Sequence, residues 1–523
     1  MKRKLTSKIL AFTMLIACVV ACCFSLTACE NKKPKPFDNT YVPPVYNTSG
    51  EEKNAVVILP GILGSNLVNA ETGVSVWSGG GLMNNLFMST TATDKEGRFK
   101  TEEIKKYLKS FLYKDENGKS VIPLRAATMN DKSLEYGLID EYKNLYKFFK
   151  KTLGSTYDVV VYQYNWTNSC TQSAEELEQF ITKNKYTNTI LVGHSLGGTV
   201  IDYYLARSEQ NRTNTKQVIT LSTPHFGAVD AALLSISDID INLPEKAVNA
   251  LNKLITGKET NSEDLNGLLA AKPIFEEILG VFGLSLTDAN GLLGNVDLGG
   301  INFINKLPKE YASNPLGFAS DILNTALSYL RTMPSVYELL PSRLAFEKGF
   351  KGAKPVTINS NEVTYDEFIA EIKNLEYVKN NAYITKIVDG LSEKQDSLII
   401  GGKFVTELVD THYITANGYL DTLTTYSVNL LKEDGKLIVK PNTTNIKRVK
   451  STVTETENNF GDGMVLVESA IAGCTNTRKI HVLKSNFDHI DIYSPESLKD
   501  GVHFLPIFVE NELGETLKNI VKY

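Results

Sequence analysis

Cysteine and tryptophan are scarce in this 523-residue chain, which holds six Cys and two Trp. Cys18, Cys22 and Cys23 sit in the first 28 residues, which leaves only Cys29, Cys170 and Cys474 beyond them. Three cysteines cannot form a disulfide scaffold, and whether Cys170 and Cys474 pair stays open. The six His are scattered, and none pairs with a Cys or another His at the short separations zinc sites use, so neither metal nor cofactor is expected. A basic excess is also missing. Lys and Arg number 55 against 60 Asp and Glu, and no basic stripe exists to neutralise phosphates, so nucleic acid is not an expected partner. No internal repeat of 20–50 residues is visible, and nothing suggests a collagen, a coiled coil or a long disordered tail. What remains is ordinary for a globular protein, with 42% hydrophobic and 22% charged residues. The length allows a large core, or one domain with big insertions.

One long apolar run is present. It extends from Ile9 to Leu26, after a basic start of Lys2, Arg3, Lys4 and Lys8. This pattern is an export signal rather than a spanning helix. It ends in Leu26-Thr27-Ala28-Cys29, which resembles a bacterial lipoprotein cleavage site. Residues 1–28 are then expected to be removed and Cys29 to carry lipid, an uncleaved anchor being the alternative. The expected location is outside the cytoplasm, on the extracytoplasmic face of the cell membrane. Cleavage would leave 51 Lys+Arg against 60 Asp+Glu, a net charge of −9. Residues 29–53 are polar and Pro-containing and read as a tether. As a random coil it would span about 25–30 Å and keep the folded part near the membrane. Lys32, Lys33 and Lys35 could touch anionic headgroups there.

Order begins at "AVVILPG", residues 55–61, a β-branched run closed by Pro-Gly in the manner of a buried strand. Residues 138–151 place Leu138, Tyr142, Leu145, Phe148 and Phe149 on one helical face. A strand follows at 157–166. Ser173 and Glu176 read as a capping box for a helix through Ile181. Further strands are predicted at 189–192 and 216–224, with a helix between them. Alternating strands and helices predict an α/β core around a mainly parallel sheet. The core's first half is expected over 54–226, a mainly helical cap over 227–395, and its second half over 396–523. Strand signals return at 397–404 and 478–484, and Asp434-Gly435 marks a hairpin turn between them.

"NTILVGHSLGGTV", residues 188–200, runs from strand to tight turn to helix, with Ser195 between Gly193 and Gly197. A bare G-x-S-x-G arises by chance in roughly one chain in ten of this length. Here the apolar strand before it, the helix after it and the extra Gly198 read as an elbow presenting a nucleophilic Ser195 at a helix N-terminus. Such a serine needs a base, an acid and an oxyanion hole. With the order Ser, acid, His, the base is sought downstream. His225 comes too early, His412 precedes the candidate acid, His481 lies within a strand, and His503 stands before a terminal helix. His489, in the loop "SNFDHIDIYSP", is the predicted base. Asp462, between two glycines in "NNFGDGMVLVESA", is the predicted acid that orients it. The oxyanion donors are predicted as the N–H of Leu196 and that of Ile62, in the Pro60–Gly64 loop. No cofactor is required.

"VVILPGILGSNL" (56–67), "YQYNW" (162–166), "VGHSLGG" (192–198), "STPHFG" (222–227) and "GDGMVLVESA" (461–470) follow one another in that order. Together they resemble the lecithin:cholesterol acyltransferase and lysosomal phospholipase A group of α/β-hydrolases. "MPSVYELLPS" (333–342) resembles a cap segment of bacterial and plant members. The resemblance implies Ser195, Asp462 and His489 as a triad, Ile62 and Leu196 as the oxyanion hole, and a lipid ester as substrate. It implies acyl transfer to Ser195 and then to water or an alcohol. Three features depart from the group: Met464 replaces a usual Thr, Asn165 and Thr167 stand where Asp and Arg flank the Trp, and the animal enzymes' two disulfides are missing. Trp77 could touch lipid or fill the core. A small-ester carboxylesterase and a non-catalytic surface protein on a hydrolase scaffold are the competing expectations.

Overall fold

A computed structural model describes residues 51–77, 93–127, 140–228, 307–311, 315–348, 356–359, 361–417, 428–433, 436–439, 465–484 and the single positions 462, 489 and 492. The expected signal, Cys29, most of the tether, residues 229–306 of the expected cap and His503 lie outside them.

Six strands form the central sheet: β1 (Lys53–Leu59), β2 (Asp158–Val161), β3 (Tyr186–His194), β4 (Thr215–Leu221), β5 (Thr411–Asn417) and β6 (Ile480–Lys484). Their spatial order is β6-β5-β4-β3-β1-β2, and every neighbouring pair is parallel. Flanked on both edges and covered on both faces, β1 and β3 carry near-continuous apolar runs rather than an alternation.

Side chains alternate across each strand, so the sheet builds two cores. On one face Val56, Ile58, Ile190, Val192, Ile219 and Ile414 meet Tyr142, Leu145 and Phe149 of α2 (Asp140–Leu153). On the other face Ala55, Val57, Leu59, Leu191, Val218 and Tyr413 meet α3 (Cys170–Lys183) and α4 (Leu196–Arg207). Each such Val, Leu or Ile contributes about 1.5–3 kcal/mol by leaving water. This is the α/β-hydrolase arrangement, a parallel sheet with helices on both faces. An earlier helix, α1 (Thr101–Leu112), packs against α5 (Pro315–Leu330) of the inserted region.

The chain runs outward from β1 to β2, returns past β1 to β3, and then continues in the other direction. The strand order therefore reverses between β1 and β3. The crevice at their carboxyl ends is where parallel sheets hold ligands. Pro60-Gly61-Ile62 leaves β1 there, and Ser195 leaves β3 there.

Several expectations need correction. The strand expected over 157–166 spans only Asp158–Val161, with one further backbone hydrogen bond to β1 from the Tyr162 N–H to the Ile58 carbonyl at 2.7 Å. The capping box on Ser173 and Glu176 does not form. α3 starts a turn earlier, on Ser169, whose side chain accepts from the Gln172 N–H at 3.1 Å. The Glu338 carboxylate accepts the Cys170 N–H in the first turn, satisfying a donor the helix itself leaves free. Glu176 instead accepts from the Gln172 side chain. Residues 397–404 are not a sheet strand but a two-residue antiparallel pair, Ile399–Ile400 with Lys403–Phe404. The strand that does extend the sheet, β5, was not expected, because "THYITAN" lacks an apolar run.

The hairpin at 434–435 is present as Val428–Glu433 paired antiparallel with Lys436–Val439. It joins Val356–Ile358 and Asn361–Glu362 in a separate four-stranded sheet, so the region 227–395 is not purely helical. Its other described parts are helices, including Pro334–Glu338, Tyr365–Asn374, Ala382–Asp389 and Leu391–Asp396. Cys170 and Cys474 are both free. Among the described residues no helix is long and apolar enough to cross a membrane.

Candidate active site

Ser195 stands between β3 and α4 with φ 50° and ψ −125°, a left-handed backbone that disfavours any side chain. The turn is possible because its neighbours lack side chains. A Cβ on Gly193 would lie 2.5 Å from the Gly198 Cα, and one on Gly197 would lie 2.4 Å from the Leu59 carbonyl oxygen. The Ser195 hydroxyl does not cap α4. It is left to face the site, with the positive end of the helix behind it.

His489 brings Nε2 to 2.9 Å from Ser195 Oγ and Nδ1 to 2.7 Å from Asp462 Oδ2. A carboxylate can only accept, so Nδ1 carries the proton and Nε2 accepts from the Ser195 hydroxyl. All three residues are buried, Asp462 completely. Burial pushes the Asp462 carboxyl up, but the neighbouring His489 and hydrogen bonds from His489 and the Val465 N–H outweigh it. The group is held below the ordinary carboxylate range. The Val465 N–H reaches Asp462 Oδ1 at 2.8 Å, and the His489 N–H reaches the Asp462 carbonyl at 3.0 Å. The acid and the imidazole are thus joined through both side chain and backbone.

The Pro60–Gly64 loop lies against Ser195. A Cβ on Gly61 would sit 3.0 Å from Ser195 Cβ. Three residues of "YQYNW" hold this loop: Tyr164 donates to the Pro60 carbonyl at 2.8 Å, Trp166 to the Ser65 carbonyl at 3.1 Å, and the Gln163 side chain accepts from the Asn66 N–H at 2.8 Å. Trp77 donates to the Leu63 carbonyl and packs its ring on Phe111 and Trp166, so it belongs to the packing of this loop. Asn165 is taken up locally, accepting from the N–H and hydroxyl of Thr167. Among the described residues no acceptor meets the N–H of Ile62 or of Leu196.

The other histidines are elsewhere. His412 and His481 face each other at 3.5 Å near the amino ends of β5 and β6, the end of the sheet opposite Ser195. Burial, and then His412, push His481 down to about 4. His225 makes a second buried acid–imidazole pair, with Asp202 at 2.8 Å, but no described hydroxyl meets its Nε2. Among the described residues no group of three or more His, Cys, Asp or Glu is arranged to hold a metal.

Two residues at the site were not anticipated. His194 Nε2 is 3.0 Å from the His489 carbonyl, and its Nδ1 is 2.7 Å from the Tyr142 hydroxyl. That hydroxyl also accepts the Gly61 N–H at 2.8 Å. Tyr142 had read only as part of a buried helical face. A phenol on an otherwise apolar stripe was the available signal, since its hydroxyl needs a partner when buried.

The family described as Lipase (class 3) matches residues 124–237, about a fifth of the chain. The matched stretch contains Ser195 and ends before Asp462 and His489. No curated protein matches the chain. Among solved structures, a chain of "The crystal structure of Tle4-Tli4 complex" is similar at 12% identity and a TM-score of 0.48, over 85% of this chain and 96% of that one.

Proposed function

We propose that the chain is a serine acylhydrolase of lipid esters, with Ser195 as nucleophile, His489 as general base, Asp462 as orienting acid, and Ile62 and Leu196 as oxyanion donors. The observation that carries this reading is the hydrogen-bonded line from Ser195 Oγ through His489 to Asp462, at 2.9 and 2.7 Å. In the first step Ser195 Oγ attacks the ester carbonyl while His489 Nε2 takes its proton. The oxyanion that forms is met by two N–H groups and the α4 N-terminus. His489 then returns the proton to the leaving alcohol, leaving an acyl group on Ser195. Water, deprotonated by the same imidazole, releases the acid and restores the hydroxyl.

The class 3 lipase match over 124–237 supports an ester substrate of lipid type. The finer kinship, with the lecithin:cholesterol acyltransferase and lysosomal phospholipase A group, rests on the five motifs and the cap segment. With it comes the proposed capacity to pass the acyl group to an alcohol. Lipidation of Cys29 and an exported, membrane-tethered location complete the proposal. An enzyme held at the interface meets its substrate at high local concentration.

The test is fatty-acid release from phospholipid vesicles by the full chain, with Ser195→Ala in parallel and a small alcohol in one arm. Release that disappears in the variant, with ester formed in the alcohol arm, is the expected result. Cleavage of short soluble esters alone would reassign the chain as a small-ester carboxylesterase. A folded chain inert towards both would refute the proposal.

A further inference from the structure

We infer that His194 and Tyr142 are positioning residues, forming a buried hydrogen-bond line that ties the oxyanion loop to the backbone of the general base. The inference rests on the roles proposed above for Ser195, His489 and Ile62. It starts from a fixed direction of donation. The His489 carbonyl can only accept, so His194 Nε2 bears a proton in its 3.0 Å contact. Burial, and then the neighbouring His489, hold His194 well below the ordinary histidine range, so the ring is neutral and its Nδ1 is an acceptor. The Tyr142 hydroxyl must then donate to Nδ1, and its oxygen is left to accept the Gly61 N–H. Each link therefore has one allowed polarity: Gly61 N–H to Tyr142, Tyr142 O–H to His194, His194 N–H to His489.

The two ends of this line are the two things the chemistry needs in register. Anchoring the Gly61 N–H fixes the Pro60–Gly61 peptide plane, and the next plane, which carries the Ile62 N–H, is held by the Gly61 carbonyl as it accepts the Gly64 N–H at 3.1 Å. At the other end, the His489 carbonyl is held by His194 while its N–H is held by the Asp462 carbonyl at 3.0 Å. The imidazole is thus fixed by its backbone on both sides as well as by the Asp462 carboxylate. The line crosses from α2 through the end of β3 to a loop near the C-terminus, three segments that only the fold brings together. His194, immediately before Ser195 at the end of β3, reaches both ends. Continuing the line takes a neutral side chain with a donor and an acceptor on opposite sides.

Tyr142→Phe removes the hydroxyl that joins Gly61 to His194, and His194→Leu removes the ring that joins Tyr142 to the His489 carbonyl, so both cut the Tyr142–His194 bond. Steady-state kinetics on the full chain, normalised to sites titrated with a fluorophosphonate, should show kcat lower by about ten- to a hundredfold in each variant. KM should move by less than about twofold, because substrate binding uses other groups. The double variant should lose less than the product of the two single losses, since both remove the shared Tyr142–His194 bond. Two variants whose kcat per titrated site stays within about twofold of wild type would overturn the inference, as would losses that multiply in the double variant. The 15N shifts of His194 give a readout that does not depend on turnover. A neutral ring protonated on Nε2 is expected in the wild type, and the Nδ1-protonated form or an imidazolium at neutral pH would overturn the line. An inactive wild type with the expected tautomer would refute the ester-hydrolase reading and leave this hydrogen-bond line standing. If one variant fails to fold, the other and the tautomer decide.

Discussion

Replacing Asp462 by Asn tests the proposed acid with almost no change of shape. The carboxylate is completely buried and accepts from His489 Nδ1 at 2.7 Å and from the Val465 N–H at 2.8 Å. An asparagine can accept only one of these on its carbonyl oxygen, and its NH2 then faces the other partner. If the oxygen keeps Val465, the NH2 faces His489 and favours the tautomer with Nδ1 bare and the proton on Nε2. That ring cannot take the proton of Ser195. For a triad built this way, the change lowers kcat by on the order of 10⁴, about 5.5 kcal/mol of transition-state stabilisation. The assay is initial-rate hydrolysis of a soluble chromogenic ester, with circular dichroism to confirm the fold. The same pair of proteins tests the electrostatics. The folded carboxyl of Asp462 titrates below its unfolded value, so its charge stabilises the fold above about pH 4. That contribution is lost as the pH falls through the folded value. The melting-temperature gap between wild type and Asp462→Asn should therefore be full at neutral pH and shrink below about pH 4. A loss of less than tenfold in kcat with the fold intact would refute the assignment of Asp462. A gap that widens in acid would refute the electrostatic argument.

Two further outcomes follow from the same geometry. Ser195 holds a left-handed backbone, with φ 50°, that only glycine adopts without strain, so Ser195→Gly should be more stable than Ser195→Ala by about 1–3 kcal/mol. Urea midpoints at unchanged slope measure this, and equal midpoints would show that the elbow stores no strain. Burial raises the Glu338 carboxyl, against the pull of Lys394 at 3.3 Å and the Cys170 N–H. A raised folded value means stability is present below the unfolded value, about 4.3, and falls as the pH rises through the folded one. The melting temperature of Glu338→Gln relative to wild type should accordingly rise between pH 4 and pH 8, and a falling difference would sink the argument.

Ser195, Asp462 and His489, the proposed nucleophile, acid and base, stand at positions a sequence marks. Each sits where a strand or loop pattern breaks into glycines or a turn, and the α/β order of Ser, acid and His restricts the candidates. The buried strands β1, β3 and β4 were legible because burial on both faces writes an uninterrupted apolar run. β5 was not. Its Thr411, His412 and Thr415 are buried polar residues, and Thr411 is paired by hydrogen bonding to the Thr406 carbonyl. Periodicity records burial of apolar groups and is silent on polar groups that find partners. Ser169 was missed as the α3 cap for a related reason. Ser169 and Ser173 are equivalent in sequence, and the choice between them is influenced by Glu338, far along the chain.

Tyr142 and His194 were illegible for a stricter reason. Nothing local distinguishes a tyrosine packed in a stripe from one whose hydroxyl joins two remote backbones. Its partners come from Gly61 and His194, and the line ends on His489. The strand reversal between β1 and β3 makes the meeting possible. It sets the carboxyl end of β1, which leads into the Pro60–Gly64 loop, beside the carboxyl end of β3, which supplies His194 and Ser195. α2 connects towards β2 and covers the face bearing Val56 and Ile58, which puts Tyr142 under the same crevice. A sheet with sequential order would keep β1 and β3 apart and leave Gly61 without this partner. The topology that creates the crevice therefore also creates the buried line beneath it. Sequence patterns, which are local, mark the residues that line the crevice and pass over those that brace it from below.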